Sequence, residues 1–64
     1  MNIMTSKLRE NILEVFRREN RELSPQQAAE IAKLNPNTTR RLVRELAKAG
    51  SLKKVEGTRK YSLP

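Results

Sequence analysis

The sequence predicts a mainly α-helical fold of three helices followed by a small β-hairpin, within a single domain spanning residues 1–64. Apolar residues recur at helical spacing in the first third of the chain. Two later stretches pair a capping residue with proline, Ser24-Pro25 and Asn35-Pro36, as helix starts commonly do. After Gly50 the pattern alternates and turns at Gly57, which is typical of a hairpin. The expected boundaries are 1–5 for a disordered N-terminus, 6–20, 24–34 and 35–50 for the helices, and 51–63 for the hairpin.

Composition excludes several classes of function. The 64-residue chain has no cysteine and no histidine, which excludes a disulfide framework, a zinc finger and a histidine-centred active site. Its serines and threonines stand at caps and turns, and it has no glycine-rich loop, so we predict no enzyme, cofactor, metal or small-molecule site. No apolar run approaches the roughly 20 residues that span a bilayer, and the opening residues lack the apolar centre of a signal peptide. We expect a soluble cytoplasmic protein without a membrane partner, associated with the nucleoid if bacterial or archaeal.

Positive charge is concentrated in the second half of the chain. Of the 14 basic and 7 acidic residues, five of each lie in residues 1–32. The other nine basic residues lie in residues 33–64 against two acidic ones, so the whole formal net charge of +7 belongs to that half. Such a one-sided excess is the electrostatic footprint of a nucleic-acid binder. The alternative is a generally basic, solvated surface.

The first helix is predicted to be a scaffold element, capped by Thr5 or Ser6. Leu13 lies off its apolar stripe and is expected at the surface, where it could contact a partner. On the outer face, Glu14 with Arg18 and Arg18 with Glu22 are spaced for weak ion pairs of about 0.2–0.5 kcal/mol each. The stripe itself consists of Leu8, Ile12, Val15 and Phe16.

The second helix has a clear start signal. The connector before it, residues 21–23, can supply one brief strand with Leu23 pointing inward. Ser24 and Pro25 suit the cap and the first position, and Gln27 can reach back to complete a capping box. The helix is expected to run to Leu34. The core predicted for the whole domain comprises Leu8, Ile12, Val15, Phe16, Leu23, Ala28, Ile31, Leu34, Thr39, Val43, Leu46, Leu52, Tyr61 and Leu63.

The third helix, residues 35–50, has two contrasting faces. Asn35 can cap it, Pro36 suits its first position and Gly50 closes it. At about 100° per residue, one side collects Thr39, Leu42, Val43, Leu46 and Ala49, and the other collects Asn37, Arg40, Arg41, Arg44 and Lys48. Arginine can bind guanine and asparagine can bind adenine through paired hydrogen bonds in a major groove that admits a helix. The pattern predicts a DNA-recognition helix.

Two helices joined by a tight turn, the second rich in arginine, indicate a helix-turn-helix. Residues 23–63 resemble the winged helix-turn-helix heads of MarR-, ArsR- and IclR-type transcription regulators. The resemblance rests on Ala29, Leu34, Leu42, Val43, Leu46 and the AKAG sequence that ends at Gly50. Lys33 departs from it, because glycine is usual at that turn, and so does Thr39, where valine or isoleucine is usual. A left-handed backbone conformation at Lys33 would destabilise the fold by about 1 kcal/mol. The Thr39 hydroxyl is expected to donate a hydrogen bond to a carbonyl one turn back.

The hairpin is predicted to pair residues 52–55 with 58–63 around Glu56 and Gly57. In that register Leu52 lies opposite Tyr61, and Leu63 shares the face of Tyr61. The resemblance implies that this wing lies along a phosphate backbone. Edge lysines such as Lys53 and Lys60 could instead serve only to discourage strand aggregation.

Double-stranded DNA is the predicted partner and transcription regulation the predicted role. The resemblance implies base contacts from the first turn of helix three, although Asn37 could instead only decorate the helix start. The free amides that begin helix two can hold a phosphate, although Ser24 could instead serve as a cap alone. A protein-interaction or accessory module of a replication or repair assembly and a sequence-neutral nucleic-acid binder are the alternatives. We expect a monomer, with helix one as the surface that a homodimer or larger protein assembly would use. The predicted DNA-binding residues are Asn37, Thr38, Arg40, Arg41, Arg44, Lys48, Lys53, Lys54, Arg59, Lys60, Ser24 and Gln26.

Overall fold

The computed structural model describes residues 3–64, with side chains from residue 6 onward. Three helices precede a two-stranded antiparallel sheet, which confirms the predicted fold class. The elements in chain order are α1 (Ile3–Glu19), α2 (Pro25–Ala32), α3 (Pro36–Lys48), β1 (Lys53–Lys54) and β2 (Tyr61–Ser62).

Helix α1 begins earlier than predicted, at Ile3. Thr5 and Ser6 therefore lie inside the helix and do not cap it, and residues 3–5 are helical rather than disordered. Nothing in the sequence before Thr5 breaks a helix, since glycine and proline are absent there. The prediction of disorder at residues 1–2 lies outside the described residues. The helix ends at Glu19 because Asn20 adopts a φ of 50°, and its N–H donates to the Phe16 carbonyl at 2.9 Å.

The predicted stripe of α1 supplies the centre of the core. Ile12, Val15 and Phe16 are buried, and Leu8 packs against them while half-buried. Leu13 was expected at the surface, but it is half-buried and packs against the same cluster. The expected exposure of Leu13 is therefore wrong, and a contact between Leu13 and a partner stays a prediction.

Helix α2 ends at Ala32, two residues earlier than predicted. Lys33 has a φ of 58°, and the Leu34 N–H donates to the Ala29 carbonyl at 2.9 Å in a Schellman motif. Ile31 was predicted in the core but is 37% exposed, whereas Ala28 and Ala29 are buried. At about 100° per residue, Ile31 lies about 110° around the helix from the midpoint of those two alanines. The small alanines are thus the residues that let α2 approach its neighbours.

Helix α3 buries Thr39, Leu42, Val43 and Leu46, of which Leu42 was missing from the predicted core. The hydroxyl of Thr39 was expected to bind a carbonyl, but its Oγ1 is buried without a hydrogen-bond partner among the described residues. The backbone N–H of Thr39 donates to the Asn35 carbonyl one turn back at 2.9 Å. Ala49 was expected on the apolar side but is exposed, because the helix ends at Lys48 and Gly50 turns the chain with a φ of 85°.

The hairpin register differs from the prediction by two residues. Lys54, not Leu52, lies opposite Tyr61, and Lys53 lies opposite Ser62. The strands diverge earlier than expected because Thr58 belongs to the turn: its N–H donates to the Val55 carbonyl at 3.2 Å, and its hydroxyl donates to the same oxygen at 2.8 Å. Since the shift is an even number of residues, Leu52 and Tyr61 still face the core.

The connector between α1 and α2 joins this sheet through one residue. Leu23 forms an isolated antiparallel bridge with Tyr61, and Leu23 is fully buried. This contact confirms the predicted brief strand with an inward Leu23.

Candidate nucleic-acid interface

The exposed face of α3 carries the cationic residues that the sequence singled out. Asn37, Arg40, Arg41, Arg44 and Lys48 are all exposed, and Thr38 is half-buried. They lie opposite the buried apolar side of the same helix. The predicted division of α3 into a core face and a polar face is therefore present in the structure.

The first turn of α3 is fixed by its cap. The Asn35 side-chain oxygen accepts from the Asn37 N–H at 2.8 Å and from the Thr38 N–H at 3.3 Å. Pro36 needs no partner at the first position because it has no N–H. The backbone that carries Asn37 and Thr38 is consequently held in one conformation, while the Asn37 side chain makes no hydrogen bond within the described residues.

A groove of about 480 Å³ brings together three elements of the chain. Arg40 and Arg44 form its α3 wall, and Lys54 and Arg59 approach from the hairpin. The start of α2 forms the remaining side. The groove thus joins six of the twelve predicted site residues: Ser24, Gln26, Arg40, Arg44, Lys54 and Arg59.

A second shallow groove, of about 270 Å³, runs along the other flank of α3. Arg40 and Arg44 border this groove as well, so these two arginines form the ridge between the two depressions. The four other residues that line the second groove are Asn37, Arg41, Glu45 and Lys48.

Glu45 is the only carboxylate on α3, and it is engaged by another helix. Arg9 of α1 donates from Nη2 to Glu45 Oε2 at 2.7 Å. Both side chains are about two-fifths exposed, at 39% and 44%, so the pair stabilises the fold by at most about 1 kcal/mol. Sequence reasoning missed this contact because residues 36 apart give no local signal. The expected pairs of Arg18 with Glu14 and Glu22 do not form in the part of the chain that the structure describes; Glu14 is 3.8 Å from Arg17 instead.

The start of α2 forms the predicted capping box. Gln27 N–H donates to Ser24 Oγ at 3.1 Å, and Ser24 N–H donates to Gln27 Oε1 at 2.9 Å. Pro25 has no N–H, and the Ala28 N–H binds the Ser24 carbonyl. Within the described residues, the N–H of Gln26 is therefore the one amide of this first turn that has no intramolecular partner.

The four basic residues of the hairpin do not form a single group. Lys54 and Arg59 line the groove beside α3. Lys53 lines a separate depression with Glu22 and Glu56, which Lys54 also borders. Lys60 is exposed but borders neither of the grooves along α3. The structure thus divides the wing residues into a pair near α3 and a pair away from it.

Two other kinds of site bear on function in residues 3–64. No group of three or more acidic, histidine or cysteine side chains there is arranged to hold a metal ion. None of the helices described is long and apolar enough to cross a membrane.

Three helices, a tight turn between α2 and α3, and a short antiparallel wing beside α3 define the winged helix-turn-helix class. A family model of the IclR helix-turn-helix domain matches residues 11–56. The chain belongs to this family, which consists of DNA-binding domains of transcription regulators. No curated protein and no solved structure matches the chain.

Proposed function

We propose that this domain regulates transcription by placing α3 in the major groove of duplex DNA while the wing holds the adjacent backbone. The observation that carries the proposal is the position of Arg40 and Arg44 on an exposed ridge between two grooves. The only carboxylate of α3 is paired with Arg9, so the ridge is left with uncompensated positive charge. A surface of this kind attracts a polyanion and projects guanidinium groups into it.

Base reading is assigned to the ridge and to the first turn of α3. Asn37 and Thr38 stand where a recognition helix goes deepest, and Arg40, Arg41 and Arg44 follow on the same exposed face. At 1.5 Å per residue, Asn37 and Arg44 are about 10 Å apart along the helix axis, or about three base steps of 3.4 Å. Asparagine favours adenine and arginine favours guanine, so the preferred site contains both bases within one short stretch. Lys48, near the end of α3, contacts phosphate.

Backbone contacts are assigned to the wing and to α2. Lys54 and Arg59 approach the groove beside α3, and Lys53 and Lys60 extend the positive charge along the hairpin. At the start of α2, the unpaired Gln26 N–H and the Ser24 hydroxyl can donate to one phosphate. Contacts of this kind fix the position of the domain on DNA without specifying sequence.

The proposal is tested by fluorescence-anisotropy titration of DNA duplexes at several salt concentrations. We expect wild type to give a log-log salt slope of about −4 to −5, as five or so phosphate contacts require. An Arg40→Ala/Arg44→Ala variant should bind at least about tenfold more weakly, because both base contacts and local charge are lost. Arg17→Ala/Arg18→Ala on α1 removes the same formal charge and is the matched control, with little expected effect.

Two results would overturn parts of the proposal. Equal binding by the ridge variant and the α1 control would show that α3 is not the contact surface. Equal affinity for unrelated duplexes would show that the domain binds DNA without reading sequence.

A further inference from the structure

The ion pair between Arg9 and Glu45 joins α1 to the middle of the proposed DNA-binding surface. Glu45 lines the same groove as Arg41, Arg44 and Lys48. The contact is short, at 2.7 Å between Arg9 Nη2 and Glu45 Oε2, and it is the one ion pair between different helices in the described residues. A residue of the neutral half of the chain therefore acts directly on a residue of the cationic half.

A carboxylate at this position opposes DNA binding if it is left free. It would repel phosphates across the groove, and it lies four residues after Arg41 and three before Lys48, the spacings at which helix side chains pair. A pairing of Glu45 with either residue would occupy a basic side chain that DNA binding requires. In the described structure neither Arg41 nor Lys48 forms an ion pair, because Glu45 is turned to Arg9.

We infer that Arg9 is a positioning residue for DNA binding: it holds and neutralises Glu45, so that Arg41 and Lys48 remain free to contact DNA. This inference rests on the proposed function of α3. Because the two side chains are both partly exposed, their pairing contributes little to folding, and its main consequence is electrostatic at the groove.

The experiment compares wild type with Arg9→Ala, Glu45→Gln and the Arg9→Ala/Glu45→Gln double variant. Affinity for one DNA duplex and its salt slope are measured for each, with thermal unfolding as a check of structure. Arg17→Ala is the matched control, since Arg17 is also an exposed α1 arginine but is near Glu14 of its own helix. Arg9→Lys tests whether charge at the position is sufficient.

We expect Arg9→Ala to weaken binding by about threefold to tenfold and to make the salt slope shallower by about one. Arg17→Ala should change affinity by less than about twofold, because its charge is not next to the groove. Arg9→Lys should retain most of the affinity. The double variant should recover the wild-type affinity and slope, because without the Glu45 charge there is nothing for Arg9 to hold.

If Arg9→Ala weakened DNA binding equally in the wild-type and the Glu45→Gln backgrounds, the inference would be overturned, since Arg9 would then contact phosphate itself. No loss on Arg9→Ala would overturn it as well. Failure of the proposed function is distinguishable, because in that case the Arg40→Ala/Arg44→Ala variant would bind as wild type does.

Discussion

Leu23 and Tyr61 exchange two backbone hydrogen bonds, from Leu23 N–H to the Tyr61 carbonyl at 2.9 Å and from Tyr61 N–H to the Leu23 carbonyl at 2.8 Å. Leu23 immediately precedes the cap of α2, and Tyr61 lies opposite Lys54 in the wing. The bridge therefore fixes the wing against the start of the helix-turn-helix. This connection accounts for Lys54 and Arg59 lining one groove with Ser24 and Gln26.

The divided wing predicts unequal roles for its basic residues. Lys54→Ala/Arg59→Ala should make the salt slope of DNA binding shallower by about two and weaken binding to all duplexes alike, because phosphate contacts carry no sequence information. Lys53→Ala/Lys60→Ala removes the same charge farther from α3 and should have a smaller effect. Anisotropy titrations at several salt concentrations measure both. A larger effect of the Lys53 and Lys60 pair would contradict the assignment.

Asn37 should contribute to sequence preference more than to general affinity. Its side chain is exposed and unbonded in the described residues, while the Asn35 cap holds its backbone. Asn37→Ala should cost about 1–3 kcal/mol on the preferred site and relax selection for adenine at one position. Selection of binding sites from a random duplex library, followed by titration of the selected site, checks this. Unchanged selection by the variant would place adenine recognition elsewhere.

The unpaired hydroxyl of Thr39 predicts a stabilising substitution. Thr39→Val keeps the branched shape and removes a buried polar atom without a partner, so the free energy of unfolding should rise by about 1 kcal/mol or more. Thr58→Val is the matched control: the Thr58 hydroxyl bonds the Val55 carbonyl and the Lys60 N–H, so its loss should lower stability by about 0.5–1.5 kcal/mol. Urea unfolding measures both. Destabilisation by Thr39→Val would mean that its hydroxyl has a partner in solution.

The left-handed conformation of Lys33 predicts that glycine at this position would stabilise the fold. Lys33 has a φ of 58°, a conformation that glycine adopts without the clash of a Cβ atom. Lys33→Gly should raise the free energy of unfolding by about 0.5–1 kcal/mol, and Glu30→Gly within α2 should lower it by about 1 kcal/mol. The same urea experiment compares them. Equal losses from both substitutions would show that the turn carries no strain.

Most of the fold was predictable because helix caps and turn residues act on neighbouring residues in the sequence. The capping box of Ser24 and Gln27, the Asn35 cap and Gly50 each act within a few residues, so their signals can be read from the sequence. The stripe of α1 also appeared as expected. The early start at Ile3 was missed because a possible cap at Thr5 or Ser6 need not be used.

Features that depend on distant residues could not be predicted in the same way. The hairpin register depends on the Thr58 turn and on the Leu23 bridge, and both arise from the assembled fold. Ile31 was assigned to the core on hydrophobicity, but the packing of α2 selects its alanines. For the candidate site, the basic residues were evident from charge, whereas their two grooves and the Arg9–Glu45 pair required the tertiary structure.

The most direct test of the central claim, that α3 and the adjacent wing contact DNA, is to follow backbone amide signals by nuclear magnetic resonance during titration with a duplex. We expect the largest changes on Asn37 to Lys48, on Gln26, and on Lys54 and Arg59, while Arg17 and Arg18 of α1 change little. Changes concentrated on the outer face of α1, with α3 unaffected, would contradict the claim.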